Sequence, residues 1–184
     1  MGKNYFKMKS LYILFFVALA SFQVSGQTAE KIKWHTMEEA LTLNAASPRK
    51  ILLDVYTDWC GFCKRMDAET FNHPTIAKYI NQNFYAVKFN AESSTPIIYD
   101  GHTYTNPGNG GMRRSTHQFA RALGVSGYPT IAYINSDLKI IGIVPGFYTA
   151  VNIEPLLHFI AEEKYLTIGF EEYEKTFQGE LNKK

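Results

Sequence analysis

The chain has 184 residues, of which 46% are apolar and 20% charged, with a formal net charge of +2. That length suits one domain of ordinary size, and the composition excludes a disordered or fibrous chain. No basic stripe runs along it, which excludes a surface built to neutralise nucleic-acid phosphates.

Lys3, Lys7 and Lys9 precede an apolar run at 11–22 (LYILFFVALASF), followed by Val24-Ser25-Gly26. A basic start, a short apolar core and a small-residue end are the parts of a secretory signal peptide. The run of 12 residues falls short of the roughly 20 that span a bilayer. Residues 1–26 are therefore expected to be a signal peptide cleaved after Gly26, with no stable membrane insertion afterwards. An uncleaved anchor is the alternative. No cysteine lies near the cleavage point, which argues against a lipid anchor. Without the segment, 16 basic side chains face 17 acidic ones. Export, with the periplasm as the expected compartment, places the cysteines where disulfides persist.

After the leader, residues 36–47 (TMEEALTLNAAS) predict a helix with Thr36 as N-cap and Glu39 completing a capping box. Residues 50–56 (KILLDVY) read as a buried central strand. Both cysteines of the chain follow in WCGFCK, and 63–71 continues with a helical mixture of polar and apolar positions. Residues 73–84 predict a second helix, with Pro74 in its first turn, and 85–91 alternates like a strand. Within 92–112, Asp100-Gly101 between two β-prone triplets signals a two-residue hairpin. Gly108 to Gly111 (GNGG) reads as a turn, because it lacks the full Gly-x-Gly-x-x-Gly pattern. Residues 115–124 predict a helix ending at Gly124. Strands follow at 128–134 and 139–144, then a helix at 152–165, and 170–177 is either a short helix or a frayed tail. Strand–helix–strand implies a parallel, right-handed crossover, and the closely linked pair at 128–144 an antiparallel hairpin. The expected fold class is α/β: a mixed central sheet with helices on both faces and an inserted hairpin or loop at about 92–112.

Cys60 and Cys63 admit several chemistries. Zinc wants four ligands, commonly in two pairs, and the chain offers no second cysteine pair and no His-x3–5-His spacing. No metal and no cofactor are expected. As a staple, so tight a ring constrains little chain, contributing about 2 kcal/mol. Soft-metal delivery ranks last, and a Cys-His hydrolase has no use for a second cysteine. The redox reading has a mechanism. Cys60 sits where a strand turns into a helix, so unpaired N–H groups and the helix dipole favour its thiolate, the attacking species. Cys63, one turn on, is placed to resolve a mixed disulfide. Cys60 is expected to be exposed and Cys63 more buried.

The stretch 51–66 (ILLDVYTDWCGFCKRM), with 85–92 (YAVKFNAE) and 125–134 (VSGYPTIAYI), resembles the thioredoxin superfamily. TFNHP, shortly after the cysteines, is more like the thioredoxin-fold domain of bacterial thiol:disulfide interchange proteins. The resemblance covers about 36–163, so the expected division is a thioredoxin-like domain at 27–165 and a tail, helical or not, at 166–184. It implies a redox-active Cys60–Cys63 disulfide. It also implies that Asp54 is the buried acid exchanging protons with Cys63; a paired Asp at a strand end is the alternative. Lys88 matches the family lysine near that acid, against a solvated strand lysine. Pro129 resembles the family's cis-proline, and Trp59, Gly61, Phe62, Tyr128 and Pro129 would line the substrate groove. Gly61-Phe62 replaces the Gly-Pro of thioredoxin proper, and such residues help set the potential. Asp54 and Asp58 add negative charge near the thiolate, which disfavours a strongly oxidising character. The expected activity is that of an exported thiol–disulfide oxidoreductase, reducing or relaying electrons to protein disulfides and fed by a membrane or periplasmic donor. The alternative is a redox-sensing, partner-binding module without turnover. Segment 92–112 is either a partner-selecting flap or a plain surface insertion.

Overall fold

A computed structural model describes residues 30–108 and 115–181. The expected signal peptide at 1–26, the part of the insertion at 109–112, and the neighbouring Arg113 and Arg114 lie outside the described residues.

The centre is a five-stranded mixed sheet in the order β1-β3-β2-β6-β7. Strand β2 (Lys50–Tyr56) runs parallel to β3 (Phe84–Asn90) in unbroken register, from Lys50 opposite Phe84 to Tyr56 opposite Asn90. On its other side β2 is antiparallel to β6 (Thr130–Ile134), which pairs with β7 (Ile140–Pro145). Strand β6 starts later than the sequence predicts because Pro129 has no N–H to give a ladder. The outer strand β1 (Trp34–His35) was not foreseen: two residues have no periodicity to read.

Helix α1 (Met37–Ala46) begins at the expected capping box. The Glu39 N–H donates to Thr36 Oγ1 at 3.2 Å, and the Thr36 N–H donates to the Glu39 carboxylate at 2.8 Å. Thr36→Ala is expected to cost about 1 kcal/mol, read as a lower urea midpoint with an unchanged denaturant slope.

Alternation along the strands builds two cores. Leu52, Ala86, Ile131 and Tyr133 face one side, covered by α2 (Gly61–Met66), α3 (Pro74–Asn83) and α5 (Ala150–Ala161). Ile51, Leu53, Val55, Val87 and Ala132 face the other, covered by α1 and α4 (Gln118–Ala122). Helix α4 is shorter than predicted because His117 is its cap: the Phe119 N–H donates to His117 Nδ1 at 3.0 Å. Helix α2 does not run on as an α-helix either. It widens into a π turn at Asp67–Phe71, which no sequence period announces.

The insertion folds into the expected hairpin, β4 (Ile97–Tyr99) and β5 (His102–Tyr104). Asp100 and Gly101 turn it with φ of +51° and +73°, the positive angles that a two-residue turn of this kind requires. Ile97 and Tyr99 are buried on the α1–α4 side, and the Tyr99 hydroxyl donates to the Leu138 carbonyl at 2.6 Å. The hairpin is thus anchored to the core.

At the C-terminal end, the stretch left open between helix and frayed tail forms α6 (Phe170–Thr176). Phe159 of α5 meets Phe170 and Tyr173 edge-on or tilted, at 5.3 and 5.4 Å. Beyond α6, the buried Glu154 carboxylate accepts the N–H groups of Glu180 at 2.6 Å and Leu181 at 3.1 Å. A Cβ at Gly179 would overlap that carboxylate and the Phe177 ring. Among the described residues, no helix is long and apolar enough to cross a membrane.

Candidate active site

Strand β2 delivers the chain to a tight turn at its C-terminal end, where the Cys60 N–H donates to the Thr57 carbonyl at 3.1 Å. Cys60 is the N-cap of α2 and is joined to Cys63 by a disulfide, with their Cα atoms 5.3 Å apart. The Cys63 N–H donates to Cys60 Sγ at 3.0 Å, so the sulfur turns inward over the first turn of the helix. This corrects the expected exposure of Cys60. Its accessibility is 5% against 3% for Cys63, so the order is as expected but neither is exposed. The neighbours Trp59 and Phe62 are exposed instead, at 50% and 60%.

Opposite the cysteine turn, the Tyr128–Pro129 peptide is cis. The Tyr128 and Trp59 rings meet edge to face at 6.0 Å, which joins the loop before β6 to the turn before α2. Phe62 lies 6.3 Å from the Phe147 ring, on which the Arg65 guanidinium also rests at 4.8 Å. Gly61 sits in open space where a Cβ would meet nothing, so its presence is not a packing requirement. Trp59, Phe62, Tyr128 and Phe147 make an apolar aromatic rim around the disulfide.

Beneath α2 lies an ionic cluster. Asp54 and Lys88 are direct neighbours in the β2–β3 register, and Lys88 Nζ donates to Asp54 Oδ2 at 2.6 Å. Lys88 also donates to Asp67 Oδ1, from the π turn. Its ammonium rests against Trp34, Tyr56 and Phe71, 4.8, 5.0 and 5.4 Å from the ring centres. Lys88 is therefore not a solvated strand lysine. Burial works against its charge, yet the two carboxylates hold its pKa above the usual lysine value. Burial pushes the Asp54 carboxyl up to about 6, although the Lys88 charge pulls it down. Its other oxygen, Oδ1, is buried with no hydrogen-bond partner among the described residues.

Sequence reasoning did not single out Asp67, whose only signal is its place four residues past Cys63, on the helix side that returns to the sheet. A second missed group is the polar chain beside Trp59. Asn90 donates to the Asp58 carboxylate at 3.0 Å and accepts the Glu92 N–H at 2.8 Å, and the Trp59 indole N–H donates to Glu92 Oε1 at 3.0 Å. Asn106 donates to the Glu92 carbonyl at 3.2 Å, which ties the insertion to the tryptophan. Among the described residues, no cluster of His, Cys, Asp or Glu is placed to hold a metal ion.

Comparison with known proteins agrees with this geometry. The family model described as a thioredoxin-like domain matches residues 37–161. A thiol:disulfide interchange protein DsbD of Photorhabdus laumondii is 27% identical over 106 residues, 58% of this chain. The chain spans only 15% of that relative's length. Among solved structures, a thioredoxin-fold protein from Helicobacter pylori superposes with a TM-score of 0.56 at 21% identity, over 70% of this chain and 83% of its own. A candidate disulphide-isomerase of Bacteroides thetaiotaomicron gives 0.53 at 24% identity, over 77% of this chain and 98% of its own. With the disulfide at the strand-to-helix turn and the cis-proline loop facing it, these matches leave one assignment: the chain belongs to the thioredoxin-like domain family.

Proposed function

We propose that the protein is an exported thiol–disulfide oxidoreductase that reduces protein disulfides, or relays electrons to them, through Cys60 and Cys63. The observation that carries this reading is the Cys60–Cys63 disulfide at the N-terminus of α2, above a buried acid whose pKa burial pushes up to about 6. In the reduced protein, the Cys60 thiolate attacks a substrate disulfide and releases one thiolate. Cys63 then gives its proton to Asp54, with Oδ1 as the acceptor, attacks Cys60 Sγ and releases the second. Two electrons pass from the cysteine pair to the substrate, and a membrane or periplasmic donor must return them. Trp59, Gly61, Phe62, Tyr128 and Pro129 form the substrate groove; its exposed rings are those of Trp59 and Phe62, and Pro129 is itself buried. The acidic groups Asp54, Asp58 and Asp67 around the turn favour a reductant, because negative charge disfavours a low thiol pKa. Export rests on the basic–apolar–small pattern at 1–26.

Cys60→Ser is expected to bring dithiothreitol-driven reduction of insulin disulfides down to the uncatalysed background. A wild-type protein that itself turns over no faster than background overturns the reading. One observation favours a second function, a redox-sensing binding module: the insertion reaches Trp59 through Glu92. Such a module keeps its biological activity when both cysteines become serine, whereas the oxidoreductase loses it.

A further inference from the structure

Asp54 has a difficulty as a proton acceptor. Its side chain is 2% exposed, so a proton taken from Cys63 has no direct way to water. Exposure rises outward through its partners, from 19% for the Lys88 side chain to 43% for Asp67. Lys88 Nζ touches both carboxylates, and Asp67 stands one turn past Cys63, at the residue where α2 passes into the π turn. Single π turns inside α-helices are frequent at functional sites.

We propose that Lys88 and Asp67 are the proton outlet of Asp54, with Asp67 as its solvent end. This rests on the reading that Cys60 and Cys63 exchange disulfides with Asp54 as the base. The Cys63 thiol proton passes to Asp54 Oδ1, and a half-turn of the neutral carboxyl about Cβ–Cγ presents it to Lys88. Lys88 gives one proton to Asp67 and takes the one from Asp54. Asp54 returns to carboxylate, Lys88 to ammonium, and neutral Asp67 releases its proton to water. No proton is gained or lost along the way, and the electrons stay with the sulfurs. Asp67 touches no reacting atom; it is a positioning and relay residue.

The test uses an aromatic disulfide whose released thiolate absorbs light, mixed with the reduced protein in rapid single-turnover measurements. Attack by Cys60 releases the first thiolate, and attack by Cys63 releases the second. The measurement is made at pH 5, below the Asp54 pKa of about 6, so Asp54 starts neutral. It must discharge through the outlet before it can take the Cys63 proton, and only the second phase needs that discharge. Asp67→Ala is expected to leave the first phase unchanged and to slow the second by about tenfold, less than the roughly hundredfold loss of a direct general base. Added imidazole or acetate should restore the second phase in Asp67→Ala without changing the wild type, and Asp67→Glu should retain it. An unchanged second phase in Asp67→Ala overturns the proposal. So does a slowed second phase that added buffer does not restore, or a slowing of both phases together, which marks a structural role. A wild-type protein showing neither phase above background overturns the oxidoreductase reading instead.

Discussion

Replacing Cys63 with serine is expected to convert the protein into a trap. Cys60 keeps its place as the cap of α2, with the Sγ turned toward the first backbone N–H groups, so its attack on a substrate disulfide continues. Serine cannot resolve the mixed disulfide, and each molecule stops after one event. Multiple turnover should fall to background while a covalent adduct accumulates, visible on non-reducing gels and released by dithiothreitol. The adduct's size and sequence identify the partner. Every adduct forms by attack on a partner's disulfide, so the partner's identity gives the direction. A protein that the oxidoreductase would reduce marks a substrate, whereas a membrane or periplasmic electron donor marks the return path. A Cys63→Ser protein that forms no adduct, while the wild type turns over, removes Cys60 from the attacking role.

The second large effect concerns Asp54 and stability. Its folded pKa is raised from 3.8 to about 6, so the folded protein holds that proton more tightly than the unfolded chain. The contribution therefore favours folding fully at pH below 3.8, and is lost as the pH rises through 6. At pH 7 the buried charge costs about 3 kcal/mol from this shift. Asp54→Asn is expected to raise the melting temperature at pH 7, with a gain of about 2–3 kcal/mol that shrinks to nothing near pH 4. Lys88 still has Asp67 to pair with in that variant. The same substitution should slow release of the second thiolate by about a hundredfold or more. Greater stability with poorer chemistry is the signature of a group kept for function. A variant less stable at pH 7 than the wild type places Asp54 among plain structural ion pairs. The measurement is a pair of denaturation curves at the two pH values.

Much of this was written locally. Thr36 and Glu39 announce their reciprocal bonds because the partners are three residues apart and the physics is that of one turn. Asp100-Gly101 announces its hairpin because few residues tolerate positive φ. Cys60 and Cys63 mark the site for the same reason: their relation is set by a single helical turn. What sequence reading left open or missed is held by partners far along the chain. Lys88 meets Asp54 across 34 positions and Asp67 across 21, and whether it is solvated depends on Trp34, which arrives on a strand too short to have a pattern. Asp67 reaches it from one turn past Cys63, just where the helix begins to widen, a change of winding with no signature in residue type. Cys60 was expected outside because reactive thiols need access; the sulfur's own role as a helix cap draws it in.

The grip of Glu154 on the chain at Glu180 and Leu181 has a consequence for descent as well as for folding. The carboxylate needs two backbone donors at its buried site, and those donors reach it only if position 179 carries no side chain. Neither residue is free to drift alone. An alanine at 179 pushes the carboxylate off its donors, and an apolar residue at 154 leaves the glycine without a purpose. Across homologues the two positions should be inherited as a couple, Glu with Gly or neither. A lineage that has lost one should have lost the docking of this end of the chain along with it.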